Sequence, residues 1–206
     1  MSVAVIAGWL LGAYLLGSTP TSYVVARVFA GIDLRQFGSG NLGATNLYRA
    51  MGWKAAIPVA LYDIVKGAVP VLLARRWGQG PEYWPLIVGL VAVMGHVWSP
   101  FVRFRGGKGV ATAAGVFTAL APLALLVAIA VFAVVLKLSG YVSLGSMTAA
   151  VAFLTALPFV HPDSPRSTLV AAAFVAVFII FTHRSNIARL LNGTESRFGT
   201  RKAARQ

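Results

Sequence analysis

The stretch Gly109-Val-Ala-Thr-Ala-Ala-Gly-Val-Phe-Thr-Ala-Leu-Ala-Pro-Leu-Ala-Leu-Leu-Val-Ala-Ile-Ala-Val-Phe-Ala-Val-Val-Leu-Lys-Leu138 decides how this chain is organised. As a single helix it would be about 45 Å long, against a bilayer core of roughly 30 Å. Pro122 stands near its middle, behind Leu120-Ala121. Proline lacks an amide hydrogen and disfavours helical geometry in the residue before it, so one helix ends here and another begins. The two pieces are roughly 12 and 17 residues, short for a crossing of about 20.

Working outward, further apolar segments cover 3–29, 54–75, 84–98, 142–160 and 167–182. With the split at Pro122 they make seven transmembrane helices in one membrane domain, 1–206. Ser18-Thr-Pro20 inside the first segment predicts a kink with freed carbonyls. No basic stretch precedes Val3–Leu16 and no small-residue cleavage pattern follows it, so it reads as a retained span rather than a signal peptide.

Composition agrees. Apolar residues make up 58% of the chain and charged residues 11%, which excludes an ordinary soluble domain. The absence of cysteine removes disulfides, thiolate nucleophiles and thiolate metal sites. The formal charge of +13 does not point to nucleic acid, because the cations gather at span ends beside anionic headgroups.

Parity then sets the orientation. With seven spans, fourteen cations share one face: Arg27, Arg35, Arg49, Lys54, Arg103, Arg105, Lys108, Lys137, Arg184, Arg189, Arg197, Arg201, Lys202 and Arg205. Three (Arg75, Arg76 and Arg166) fall opposite, and Lys66 lies within a span. The positive-inside bias makes the crowded face and the C-terminus cytoplasmic and the N-terminus external. The C-terminal Arg197, Arg201, Lys202 and Arg205 read as topology signals without a catalytic role.

Three islands interrupt the apolar runs on that face. The first runs from Gly38 to Arg49 and carries Ser39, Gly40, Asn41, Gly43, Thr45 and Asn46; the second is Arg103 to Thr112, with Gly106, Gly107, Lys108 and Gly109; the third is His183 to Arg189, with Asn186. Each combines small residues, hydroxyls or amides, and a cation. Unhindered N–H groups and fixed positive charge favour a phosphate oxyanion. The second island lacks the four-residue gap of a nucleotide-binding loop and follows no strand, which excludes an ATPase. Tyr141-Val-Ser-Leu-Gly-Ser146 adds the hydroxyls of Ser143 and Ser146 on the same face.

Other polar residues read differently. Asp63 and Lys66, one turn apart inside a span, most simply neutralise each other. His96 precedes the second island and is placed to support it, whereas His161 falls on the opposite face. The few, scattered carboxylates and the absence of a His pair at ligand spacing give no metal site.

The ordered set Gly17-Ser-Thr-Pro20, Asp33 through Asn46, Asp63-Ile-Val-Lys-Gly67, Gly95-His96, Gly106-Gly-Lys-Gly109, Tyr141-Val-Ser143 and His183-Arg-Ser-Asn-Ile187 through Asn192-Gly-Thr-Glu195 closely resembles the bacterial membrane glycerol-3-phosphate acyltransferases that use acyl phosphate as donor. The likeness covers nearly the whole chain. It departs mildly at Arg103 and Arg105, where the family pattern leads us to expect lysines. The resemblance implies seven spans, a cytoplasmic site in the bacterial inner membrane, and transfer of an acyl group to glycerol 3-phosphate. The products are lysophosphatidic acid and inorganic phosphate, the first acylation step of phospholipid synthesis. No cofactor or protein partner is implied beyond the two substrates and membrane lipid.

With two phosphorylated substrates, the residue chemistry assigns Ser39, Arg49 and Lys108 to phosphate oxygens. Gly38, Gly40, Gly43, Gly106, Gly107 and Gly109 offer backbone contacts, and Asn41, Thr45, Asn46, Thr112, Ser143 and Ser146 are supplementary groups. His183 and Asn186 orient the second phosphate or the attacking hydroxyl. The islands are expected to converge on one pocket. The alternative is a small transporter for phosphate or organophosphate anions, which would favour an internal repeat or broken helices at the midplane; the sequence has no visible repeat. The topology makes a direct prediction: a cysteine at Gly193 stays unlabelled by an impermeant thiol reagent in intact cells, and labelling there overturns the orientation.

Overall fold

The computed structural model describes residues 1–199, so Arg201, Lys202 and Arg205 lie outside the described residues. Every regular element among the described residues is a helix. The chain divides within one helix, after Val116, into two compact units.

The first unit begins with α1 (Val3–Ser18) and α2 (Thr21–Ala30). They break at Ser18-Thr-Pro20, as expected from the proline, and together form one candidate span. A short α3 (Ala44–Met51) follows the first island, then α4 (Trp53–Trp77) and α5 (Trp84–Val97). A 3-10 turn, Pro100–Val102, leads through the second island into α6 (Val110–Leu120).

Helices in lipid gain little from burying apolar side chains against each other, so close backbone contact matters more. The glycines supply it here. A methyl group on Gly17 would overlap the backbone of Ala92 in α5, one on Gly67 the carbonyl of Thr112 in α6, and one on Gly115 the carbonyl of Ile64 in α4. These contacts draw α1 to α5 and α4 to α6. On the island side, Ala26, Leu34, Leu42, Leu47, Val59 and Val102 form an apolar core under the first loop.

The second unit contains α7 (Pro122–Ser139), α8 (Val142–Val160), α9 (Arg166–Thr182) and α10 (Arg184–Leu191). Ala121 takes an extended φ of −148° and ends α6, and Pro122 opens α7 at the position where a missing amide hydrogen costs nothing. Gly140, at φ 76°, closes α7 and turns the chain into α8. A bend of 56° at His183 separates α9 from α10.

Among the described residues, five helical segments are long and apolar enough to cross a membrane, and six if α9 and α10 count as one; α6 is shorter. Val3, Leu138 and Phe159 are each more than four-fifths exposed. Apolar residues so displayed belong against lipid tails. The chain is an all-helical integral membrane protein.

The glycine contacts yield a paired prediction. Gly67→Ala and Gly17→Ala each lower stability by about 1–3 kcal/mol through overpacking against backbone that cannot step aside. Gly8→Ala and Gly12→Ala, where no atom lies within 4 Å of the added carbon, are neutral or stabilising. Thermal unfolding in detergent checks both, and equal losses at all four positions would contradict the account.

Candidate active site

Two islands lie together in the first unit. After α2, Asp33 accepts from the Arg35 backbone N–H at 3.0 Å and from its Nε and Nη2 at 2.9 and 2.7 Å. The Arg35 guanidinium holds the half-buried Asp33 carboxyl down at about 2 and is itself stabilised in its charged form. Arg35 also lies over the Tyr23 ring, 5.0 Å from its centre. Leu34 between them is fully buried, so the turn is anchored by an apolar plug and closed by an ion pair.

Asn46, buried in the first turns of α3, organises the following loop. Its Nδ2 donates to the carbonyls of Leu34 and Phe37 at 3.2 and 2.9 Å, and its Oδ1 accepts from the Ser39 N–H at 3.1 Å. A side chain on Gly38 (φ 60°) would collide with that Oδ1, so glycine is needed here for both conformation and space. Ser39 is left exposed on a loop clamped from below. Asn41 accepts from the Gly43 N–H at 3.0 Å and donates to the Gly106 carbonyl at 3.3 Å, which ties the first island to the second. Gly40 follows at φ 70°, and Gly43 caps α3, on which Thr45 and Arg49 are partly buried.

The second island is docked on the end of α5. The Gly106 N–H donates to Val97 O at 2.9 Å and the Gly107 N–H to His96 O at 3.2 Å. A side chain on Gly107 would overlap His96 Nε2, so the loop rests on the imidazole. Arg103 and Phe104, though not glycine, adopt φ of 57° and 58° to make the preceding turn. Partly buried Lys108 and left-handed Gly109 then lead into α6, where the Thr112 hydroxyl is fully buried without a hydrogen bond.

Behind this loop lies an ionic cluster inside the helices. Lys66 Nζ is 2.7 Å from Asp63 Oδ1 and donates to Thr19 O at 2.9 Å. The Asp63 contact is close enough for an ion pair but is not directed as a hydrogen bond. His96 Nδ1 lies 3.7 Å from the same oxygen. The pair does neutralise itself, and Lys66 also caps a carbonyl freed at the predicted kink.

In the second unit, His183 ends α9 and starts α10, and its Nδ1 lies 2.7 Å from the Ile179 carbonyl. A carbonyl only accepts, so this contact assigns the ring proton to Nδ1 and leaves the neutral ring's lone pair on Nε2. Buried Glu195 gathers its neighbours: Oε1 accepts from Ser143 Oγ at 2.8 Å and Asn186 Nδ2 at 2.6 Å, and Oε2 from Arg189 Nε at 2.7 Å. Burial pushes this carboxyl up, but the hydrogen bonds from Asn186, Arg189 and Ser143 outweigh it and hold the group below its ordinary value. Ser146 Oγ donates to Val142 O at 2.8 Å within α8.

The structure sets Ser39 on the exposed first loop, Arg49 on α3 and Lys108 on the second loop, and it bonds Asn41 and Asn46, expected as supplementary ligand groups, into the loops themselves. The N–H groups of Gly40, Gly43, Gly106 and Gly107, expected as contacts to substrate, likewise bond within the loops or to the end of α5. Glu195 has no place among the expected site residues, although Asn186 and Arg189 in the third island are both its partners.

The comparisons with known proteins bear on this geometry. The family model described as "Glycerol-3-phosphate acyltransferase" matches residues 7–193. A protein named glycerol-3-phosphate acyltransferase from Trichlorobacter lovleyi is 51% identical, with 92% of this chain and 96% of that one covered. One from Thermus thermophilus is 48% identical over 95% and 96% of the two chains. Crystal structures of PlsY, an integral membrane glycerol 3-phosphate acyltransferase, also match. The glycerol 3-phosphate form gives a TM-score of 0.87 at 40% identity, and the lysophosphatidic acid form 0.85 at 39%, each covering 95% of this chain and 96% of that one.

The Glu195 network predicts an acid response. Its carboxyl titrates lower folded than unfolded, so its contribution is complete above the ordinary carboxylate value and is lost as pH falls through the depressed one. Glu195→Gln costs about 2 kcal/mol at neutral pH, from weakened charge-assisted bonds, and flattens the decline in melting temperature as pH falls below the ordinary carboxylate value. A variant that melts in parallel with the parent over that range would show that the carboxylate contributes nothing.

Proposed function

The chain belongs to the glycerol-3-phosphate acyltransferase family, and we propose that it moves an acyl group from acyl phosphate to the 1-hydroxyl of sn-glycerol 3-phosphate. The hydroxyl oxygen bonds to the acyl carbon, the acyl carbon–phosphate oxygen bond breaks, and phosphate leaves with that electron pair. The products are 1-acyl-glycerol 3-phosphate and inorganic phosphate. The observation that carries this reading is the Asn41 bridge from the first glycine loop to Gly106 in the second, which sets two anion-suited loops side by side.

Ser39, Arg49 and Lys108 hold phosphate oxygens in this reading. Backbone at Gly38 and Gly109, with Thr45 and Thr112, completes the cradle, while Gly40, Gly43, Gly106 and Gly107, whose N–H groups bond within the loops or to the end of α5, join Asn41 and Asn46 in fixing its shape. Fixed donors gain strength where water is excluded, and they stabilise charge on the departing phosphate without reorganising. An acyl phosphate is already activated, so alignment supplies most of the acceleration. The hydroxyl proton passes to a substrate phosphate oxygen, whose second pKa lies near 6. His183 Nε2 is the protein alternative, favoured by the proton held at Nδ1. Asn186, Ser143 and Ser146 act as orienting groups. The acyl tail lies between helices, open to lipid.

Counting α6 and α9 as spans gives seven, with the N-terminus outside and the basic loops in the cytoplasm of the inner membrane. No cofactor and no protein partner enters the reaction.

Purified protein given acyl phosphate and glycerol 3-phosphate should release inorganic phosphate and form lysophosphatidic acid in equal amounts. Lys108→Ala should lower kcat/KM by about 10²–10³-fold with membrane insertion unchanged; an active variant would remove the clamp. His183→Ala should retain turnover within about 100-fold if substrate phosphate is the base, and complete loss with both substrates still bound would assign that role to the histidine. Phosphate uptake into sealed vesicles without product would favour transport.

A further inference from the structure

Building on the acyl transfer proposed above, we infer that the buried Asp63–Lys66–His96 group is a positioning device for the Lys108 loop, acting through the His96 ring on which Gly107 rests. The loop is held at two places. At its entry, Gly106 and Gly107 donate to the last carbonyls of α5, and Gly107 lies against His96 Nε2 with no room for a side chain. Past its exit, the Thr112 carbonyl lies against Gly67 with equal closeness. Lys108 and Gly109 are strung between these two supports.

Both supports lead back to one ion pair. Gly67 follows Lys66 directly in α4, and His96 Nδ1 faces Asp63 Oδ1 across 3.7 Å, while Lys66 Nζ approaches the same oxygen at 2.7 Å. The 3.7 Å separation is too long for a hydrogen bond. It is close enough for the carboxylate to orient the imidazole, because little water screens charges that are almost fully buried. Lys66 is held in turn by Thr19 O, the carbonyl at the break between α1 and α2, which also accepts from the Thr21 N–H at 3.0 Å. Replacing a buried ion pair with apolar groups is often neutral or stabilising, so stability alone is weak reason for one inside a membrane helix. Setting the height and tilt of the imidazole under Gly107 gives this pair a task that an apolar pair cannot perform.

The test reads loop order without relying on catalysis. Amide hydrogen exchange in detergent is compared among the parent, His96→Ala, and the double variant Asp63→Asn with Lys66→Met, which leaves no lone buried charge. Gly106 and Gly107 amides should exchange roughly tenfold faster in both variants, the effect of losing one supporting interaction, with the Ser39 amide clamped by Asn46 unchanged. In the assay, both variants should raise KM for whichever substrate Lys108→Arg also binds less tightly, with kcat changed much less. Unchanged exchange at Gly106 and Gly107, or a uniform rise at every amide including Ser39, would overturn the inference. If the parent protein released no phosphate from acyl phosphate, the reaction would be wrong and the exchange result would still judge the positioning role.

Discussion

Two helix backbones can touch in a membrane only where neither carries a side chain in the way, and that constraint governs the first unit. Gly17 against Ala92, and Gly67 and Gly115 against Thr112 and Ile64, bring α1 to α5 and α4 to α6. Lipid tails are as apolar as the side chains they meet, so these contacts provide packing that burial alone does not. Lys66 can reach the Thr19 carbonyl, and Asp63 can face His96, because α4 runs close to the break between α1 and α2 and to α5.

The loops obey a second economy, in which side-chain amides replace secondary structure. An open glycine loop would lose much of its entropy on binding an anion. Asn46 removes most of that freedom beforehand by bonding Leu34, Phe37 and Ser39, and Asn41 joins two loops with one side chain. In the second unit Glu195 does the same with a charge, holding Ser143, Asn186 and Arg189 around one carboxylate. Preorganisation of this kind suits chemistry in which an already activated donor needs alignment more than a strong base.

Most of the architecture was legible in the sequence because prolines and apolar runs act locally. Pro122 ends α6 at Ala121, and Ser18-Thr-Pro20 separates α1 from α2, both as steric rules require. The site was legible in composition but less so in role. An asparagine beside glycines can face a ligand or fold back on the loop, and only three-dimensional partners distinguish the two; Asn46 folds back. The pair Asp63–Lys66 was read correctly as self-neutralising, but its approach to His96 depends on the crossing of α4 and α5, which spacing along one helix does not encode. Glu195 stands outside any periodic element, and its three partners, drawn from α8 and α10, cannot be assembled from spacing along one helix.

His183 sits where α9 gives way to α10, and the carbonyl that fixes its ring belongs to the last turn of α9. The imidazole's tautomer and the integrity of that helix end are therefore one property. The aim of this ring cannot change without a change in how tightly the final turn is wound. Substitutions that reshape Ile179 and its neighbours therefore re-aim this ring while the histidine itself stays unchanged.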